Sequence, residues 1–98
     1  MNYTRGWIEL KYAKEWPKRG GPLKIKHFKP QQRAWLIRRR QAGGRAFVLL
    51  KVGASEWLLF EGAHAARRIG GANCAELMME CLNCWLRKPT REELQKWL

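Results

Sequence analysis

The chain has 98 residues, of which 46% are hydrophobic and six are Trp, so it is long enough for one small packed domain and too apolar for a disordered segment. Twenty Lys and Arg against eight acidic residues give a formal net charge of +12, which favours a phosphate-bearing partner such as nucleic acid. No apolar run approaches the roughly 20 residues that span a membrane. Residues 1–10 also lack the apolar stretch of a signal peptide. We therefore expect a single cytoplasmic domain over residues 1–98 with no membrane partner.

The first half of the chain predicts a strand, a broken segment and a helix. Residues 7–13, WIELKYA, alternate in hydrophobicity with the period of a half-buried strand. After a stretch rich in Pro and Gly, LKIKHF at 23–28 predicts either a loop or a short edge strand whose lysines would prevent mispairing. A helix is predicted over about 30–43, from Pro30 at its first position to Gly43, which can supply a left-handed C-terminal cap.

The next elements are a hairpin and a short helix. AFVLLKV at 46–52 is a nearly continuous apolar run, typical of a central strand covered on both faces. With the turn-like VGAS and the strand EWLLFEG that follow, it predicts a hairpin over 46–61. AHAARRIGG at 63–71 then predicts a short helix that ends at paired glycines.

Two capping-box patterns predict the last two helices. Asn73 with Glu76 begins the first of them and Thr90 with Glu93 begins the second. The first helix is expected to continue to Pro89 with one apolar stripe, formed by Cys74, Leu77, Met78, Cys81 and Trp85. The whole order predicts a mixed α/β fold, a small sheet flanked by helices.

The three cysteines predict reduced thiols. Their number is odd and no secretion signal is visible, so a disulfide framework is not expected. CLNC at 81–84 has redox or zinc spacing, and His64 could complete a four-ligand site, but no second CxxC pair is present. Buried thiols are therefore favoured over a metal site.

The strand at 7–13 carries the residues that could perform chemistry. Glu9 and Lys11 project from the same face about 7 Å apart, beside Trp7 and Ala13. The carboxylate could hold Mg²⁺ and the ammonium could position water and offset negative charge on a phosphate. Taken alone the pattern is common, and its other interpretation is a solvated face with a weak ion pair.

The surrounding sequence adds a resemblance to a known family. GWIELK, a polar loop, FKPQQRAWLIRRRQAGGRAFVLLKVG and WLLFEG together resemble the PD-(D/E)XK nuclease superfamily, in particular its small VRR-NUC-like and phage-type members. There a strand with (D/E)-x-K leads to a helix with a P-x-Q-x-x-W type opening, a glycine and a hydrophobic strand. The resemblance covers residues 1–62, most clearly from Gly6 to Gly62, and residues 63–98 add C-terminal helices.

The resemblance implies a restriction-endonuclease-like core and a metal-dependent deoxyribonuclease. Its cofactor would be Mg²⁺ or Mn²⁺, with no small-molecule cofactor, and its reaction would be hydrolysis of DNA phosphodiester bonds, structure-selective in some relatives. By the same resemblance Glu9 is the metal ligand, Lys11 the lysine that orients water and stabilises charge, and Gln32 the helix glutamine at the border of the active site. A dimer acting in the cytoplasm, the host cytoplasm for a phage protein, is also implied.

One departure concerns an acidic residue. The family places an Asp before the E-x-K strand, across a hairpin, whereas residues 1–8 contain no acid and Asn2 is too close along the chain to lie across such a hairpin. Three explanations remain open. The chain is an N-terminally shortened nuclease, or another acid supplies the second ligand, from a partner subunit or from Glu15, Glu56 or Glu61, or the fold binds DNA without cleaving it.

Basic residues near this strand predict a nucleic-acid surface. Together they could line a channel beside the strand: Lys14, Lys18, Arg19, Lys24, Lys26, Arg33 and Arg40. Any one of them could instead be solvated surface. Trp16 is a candidate nucleic-acid or subunit contact. The alternative to a nuclease is a catalytically impaired DNA-binding protein on the same fold, and a more distant one is a protein that binds an acidic partner.

Overall fold

A mixed sheet with helices on both faces forms the molecule, as predicted for an α/β fold. The computed structural model describes residues 2–3 and 6–98, with the backbone alone for residues 2 and 3. Within these residues five strands and four helices follow one another: β1 Asn2–Tyr3, β2 Gly6–Ala13, α1 Pro30–Gln41, β3 Ala46–Val52, β4 Glu56–Glu61, α2 Gly62–Arg68, α3 Cys74–Glu80, β5 Asn83–Trp85 and α4 Arg91–Gln95. None of the helices described is long and apolar enough to cross a membrane.

The strands lie in sequence order, β1-β2-β3-β4-β5. β2 and β3 are parallel, and every other neighbouring pair is antiparallel. A parallel pair needs a crossover, and α1 provides it between β2 and β3. The structure therefore confirms the predicted strand at 7–13, the central strand at 46–52 and the hairpin over 46–61.

β3 separates two hydrophobic cores, which explains its apolar sequence. Val48, Leu50 and Val52 belong to the first core, which also contains side chains of α1, α2 and α3. Phe47 and Leu49 belong to the second core, on the opposite face of the sheet. Because both faces of β3 are covered, neither face carries the polar alternation of a half-exposed strand.

One face of β2 carries apolar side chains, but only part of this face is buried. Ile8 is fully buried in the second core with Leu94 and Leu98. Farther along the same face, Leu10 is 51% exposed and Tyr12 is 52% exposed. The C-terminal segment that covers Ile8 does not bury them, so half of this apolar face is accessible to solvent.

The predicted edge strand at 23–28 is wrong. The segment has no strand pairing, although it alternates in sequence. Its apolar side chains Leu23, Ile25 and Phe28 are buried in the first core, and the Leu23 amide donates to the Ala72 carbonyl at 3.0 Å. The alternation therefore reflects a loop that turns its apolar side chains inward.

The long helix predicted from Asn73 to Pro89 is also wrong in its second half. Its capping box is present, but α3 ends at Glu80 and β5 follows. Leu77 lies in the first core and Trp85 in the second, on opposite faces of the sheet. One helical stripe cannot reach both faces, so the chain crosses the sheet edge as a strand that pairs with β4.

The end of α1 and the start of α4 lie close to the positions that the sequence predicts. α1 ends at Gln41, two residues before the predicted limit, and Gly43 adopts the left-handed conformation with φ of 83°. The second predicted capping box is present at the start of α4, where the Thr90 side chain accepts from the Glu93 amide.

Candidate nuclease-like site

Lys11 is a nearly buried cation held by two other segments of the chain. It projects from β2 on the face that α1 covers, and it is only 7% exposed. Its Nζ donates to Gln32 Oε1 at 2.8 Å and to the His27 carbonyl at 3.3 Å. The Phe28 ring centroid lies 5.2 Å from the same nitrogen. The interpretation of this strand as a solvated face is therefore wrong for Lys11.

Glu9 is the neighbouring acid and is more accessible. Its side chain is 28% exposed, against 5% for Lys11, and its Oε1 lies 3.7 Å from Lys11 Nζ. This distance is longer than a hydrogen bond, so among the described residues one of the three ammonium donors has no close acceptor. The other carboxylate oxygen accepts from Trp7 Nε1 at 2.9 Å. The spacing of the sequence motif thus brings Glu9 and Lys11 together, as expected.

Gln32 is fixed by the way α1 begins. Pro30 occupies the first turn, and Gln32 Oε1 accepts from the Lys29 backbone amide at 3.2 Å as well as from Lys11. The Gln32 side-chain oxygen therefore caps the start of α1 and also orients the Lys11 ammonium. The structure brings Gln32 to Glu9 and Lys11 as the family resemblance implies.

A pocket opens beside these residues, with a volume of about 310 Å³. Trp7 and Trp35 form one wall, their ring centroids 5.8 Å apart in an edge-to-face arrangement. The remaining lining residues are Glu9, Gln31, Gln32 and Leu36. The pocket combines one carboxylate and two amides with aromatic surface, so it can accept a ligand with both polar and planar groups.

The other candidate acids lie elsewhere. Glu15 is exposed on the loop after β2. Glu56 accepts from Trp16 Nε1 at 3.1 Å, and Glu61 caps α2 and lies 3.2 Å from Arg40. The described part of the chain contains no cluster of three His, Cys, Asp or Glu that could hold a metal ion. Within this part, the site supplies one carboxylate, which fits Mg²⁺ only when phosphate oxygens and water complete its coordination.

The start of the chain differs from expectation. β1 does pair with β2, and Asn2 lies opposite Trp7 in the antiparallel register. Asn2 therefore does lie on the partner strand of β2, but it is opposite Trp7, two residues before Glu9. The expectation that Asn2 is too close along the chain to lie across a hairpin from β2 was wrong.

Five of the predicted nucleic-acid residues share one loop. The loop joins β2 to α1, and its cationic side chains are all exposed: Lys14, Lys18, Arg19, Lys24 and Lys26. The same loop supplies the His27 carbonyl that binds Lys11. The five exposed cations and the candidate site are therefore connected by one continuous segment.

Arg33 and Arg40 are placed differently from these five. Arg33 donates to the carbonyls of Phe28 at 3.1 Å, Ala66 at 2.8 Å and Ile69 at 2.6 Å, and its guanidinium lies over the Phe28 ring. Burial lowers its pKa, although the group remains charged. Arg40 pairs with Glu61. Arg33 thus ties the end of α2 to the beginning of α1.

Sequence reasoning missed two parts of the site. Trp7 and Trp35 line the pocket, and Trp7 also binds Glu9. Trp7 is two residues from Glu9 on the same strand face, and Trp35 is one helical turn beyond Gln32, so both spacings carried the signal. The role of the His27 carbonyl had no such signal, because main-chain groups are the same at every position.

Trp16 and the three cysteines lie outside this site, and all four side chains are partly buried. Trp16 is half-buried, packs against the first core and binds Glu56. Cys74, Cys81 and Cys84 are free and half-buried, and burial is the main cause that raises the pKa of each thiol. A raised pKa makes a cysteine less reactive at neutral pH.

Comparison with known proteins found no family model, no curated protein and no solved structure that matches the chain.

Proposed function

We propose that the protein is a Mg²⁺-dependent deoxyribonuclease that hydrolyses phosphodiester bonds at Glu9, Lys11 and Gln32. The observation that carries the proposal is the geometry of Lys11, a nearly buried ammonium bound to Gln32 Oε1 at 2.8 Å and 3.7 Å from the Glu9 carboxylate. A cation is costly to bury, and a purely structural role would be served equally by an apolar side chain.

Lys11 would stabilise the charge that develops on the phosphate. Two of its donors are occupied by neutral oxygens of His27 and Gln32, which fix the ammonium without cancelling its charge. The third has no hydrogen-bond acceptor among the described residues, with Glu9 Oε1 3.7 Å from the nitrogen, and it would bind a phosphate oxygen or the attacking water. In a partly dehydrated site such a charge acts more strongly than in bulk water.

Glu9 would hold the metal and Gln32 would position the lysine. When bound, Mg²⁺ would polarise the phosphate and offset its charge. Trp7 Nε1 restrains one oxygen of Glu9 and leaves the other directed towards Lys11. The exposed lysines and arginine of the loop at 14–29 would guide DNA to the pocket through phosphate contacts.

A second candidate is a protein that binds DNA without cleaving it. The observation that favours it is the single carboxylate of the site, since the described residues offer no metal-binding cluster. A second acid from a partner subunit would restore the first candidate. The dimer stays a prediction, which light scattering of the purified protein would test.

The test is cleavage of linear, branched and single-stranded DNA with Mg²⁺ or Mn²⁺. We expect Glu9→Gln and Lys11→Met each to reduce cleavage at least about a hundredfold, the usual effect of removing a group that stabilises the transition state. DNA binding should persist in both variants. Glu92→Gln and Lys88→Met are the matched controls, because both residues are exposed and lie outside the proposed site and outside the loop at 14–29.

The outcomes separate the two candidates. Salt-sensitive binding without cleavage in the parent protein would select the binding protein, and the absence of binding even at low salt would overturn both. Cleavage that is unchanged in Glu9→Gln would show that this carboxylate is not part of the reaction.

A further inference from the structure

The face of the sheet opposite Lys11 carries a row of three side chains from three strands. In the strand register Tyr12 lies opposite Lys51, and Lys51 lies opposite Trp57. Residues that are paired in this way point to the same face. The row Tyr12–Lys51–Trp57 therefore runs across β2, β3 and β4 near the ends of these strands.

The three side chains are in contact through the lysine. Lys51 Nζ lies 5.9 Å from the Tyr12 ring centroid and 5.3 Å from the Trp57 ring centroid. Both distances fall within the range of cation–π attraction, which is strongest when the cation is desolvated. The lysine is half-buried between the rings, so its charge is held on the sheet surface.

The row is accessible at its Tyr12 end, because the second core extends along the row only as far as Trp57, which packs against it. That core contains Ile8, Phe47, Leu49 and the C-terminal residues Leu94 and Leu98. Tyr12 is 52% exposed and Trp57 is half-buried. The Tyr12 ring, the Lys51 ammonium and the Trp57 ring thus form a patch that is open to solvent.

We propose that the row Tyr12–Lys51–Trp57 binds single-stranded nucleic acid, with an unpaired base stacked on Tyr12 and a phosphate on Lys51. Aromatic rings on a positively charged sheet are the common platform for unpaired bases. The charge of the chain, +12, attracts a polyanion. A second copy of the chain seated on this patch through the same residues would bring its own Lys51 against this one, so like charges disfavour a subunit contact here.

The proposed platform is separate from the proposed hydrolytic site. Glu9 and Lys11 point to the face covered by α1, whereas Tyr12 points to the other face. The inference therefore does not rest on cleavage, and binding can be measured with chelator present and no metal.

The experiment compares a fluorescent oligothymidylate with a duplex of the same length by fluorescence anisotropy. We expect Tyr12→Ala to weaken binding to the single strand about tenfold or more, the usual effect of losing one stacked base. Duplex affinity should change less than twofold. Tyr12→Phe should keep the single-strand affinity, because the ring is retained. Lys51→Ala should lower the slope of log affinity against log salt by about one.

Met79→Ala is the control, since Met79 is an exposed apolar side chain, at 87% exposure, on α3, which packs on the opposite face of the sheet. Thermal melting identifies variants that fail to fold, and the binding of Tyr12→Phe keeps the test valid if Tyr12→Ala does not fold. Unchanged single-strand affinity in folded Tyr12→Ala would overturn the proposal, as would an equal loss for strand and duplex. A dimeric parent that becomes monomeric in Tyr12→Ala would instead make the patch a subunit interface. The binding assay contains chelator and no metal, so a failure of cleavage does not affect it, and the loss of the two sites is distinguishable.

Discussion

Lys11 Nζ and Gln32 Oε1 are joined by a hydrogen bond of 2.8 Å, although 21 positions separate the two residues along the chain. The bond links the strand that carries the acidic motif to the first turn of the crossover helix. In the proposed nuclease it would make Gln32 a positioning residue, which acts on the substrate through the ammonium that it holds.

Gln32→Ala should therefore lower turnover more than DNA affinity. The variant leaves the ammonium with the His27 carbonyl as its close acceptor, and an unsatisfied buried donor costs about 1–3 kcal/mol. We expect a lower kcat with little change in KM, and a lower free energy of unfolding in urea. Gln32→Glu keeps an oxygen acceptor at this position and should recover the stability. Equal kcat in Gln32→Ala and the parent would show that the lysine does not need this anchor.

Lys11→Met should separate stability from activity. Replacing a nearly buried cation by an apolar side chain of similar length is often neutral or stabilising, since the desolvation cost disappears. We expect a free energy of unfolding equal to or above that of the parent, together with loss of cleavage. Urea denaturation followed by tryptophan fluorescence measures the first quantity. A large destabilisation would mean that the ammonium serves the fold.

The acid stability of the protein should depend on Glu80. Its carboxylate accepts from Arg68 Nε at 2.8 Å and Nη2 at 3.0 Å, and it lies 2.7 Å from His64 Nε2. These contacts, chiefly the hydrogen bond from Arg68, lower the pKa of Glu80 from 4.5 to about 2. The folded state therefore binds the proton less readily than the unfolded state. The stabilisation is complete above about pH 4.5 and is lost as the pH falls towards 2.

Unfolding in urea between pH 2 and 6 tests this dependence. Glu80→Gln should reduce the loss of unfolding free energy at low pH. Glu92→Gln, on the exposed side of α4, should give the same dependence on pH as the parent. An identical acid decline in Glu80→Gln and the parent would contradict the assignment.

The basic residues should divide into structural and DNA-binding ones. Arg33→Lys cannot reproduce the contacts with three carbonyls, so we expect it to destabilise the fold by about 1–3 kcal/mol without altering the salt dependence of DNA binding. The double variant of Lys24 and Lys26 to Ala should keep its stability and lower the salt slope by about two. Anisotropy titrations at several salt concentrations measure these slopes. The reverse pattern would place Arg33 among the phosphate contacts.

Local periodicity was sufficient to predict β2, α1, β3 and the hairpin, because each has a clear hydrophobic period and ordinary end signals. It failed where tertiary packing decides the conformation. Ile25 and Phe28 alternate like strand residues, yet they fill the first core from a loop. Trp85 continues a helical spacing in sequence, but the second core holds it on the far side of the sheet.

The candidate site was predictable to the extent that it depends on spacing. Glu9, Lys11 and Gln32 are brought together as expected. The structural role of Arg33 could not be predicted, because the sequence around a helical arginine is the same whether the side chain binds phosphate or carbonyl groups. The burial of Lys11 also depends on the loop before α1, which no local pattern describes.

The attachment of Lys11 to two distant segments has a consequence during synthesis and unfolding. A chain in which α1 has not yet packed on β2 leaves the ammonium hydrated and mobile, with no carbonyl or amide to hold it. Parallel pairing of β2 with β3 requires the whole crossover and forms late compared with local turns. In the proposed nuclease, reactivity towards phosphate at this strand would thus be confined to completely folded molecules, and nascent chains would not attack nucleic acid in their vicinity.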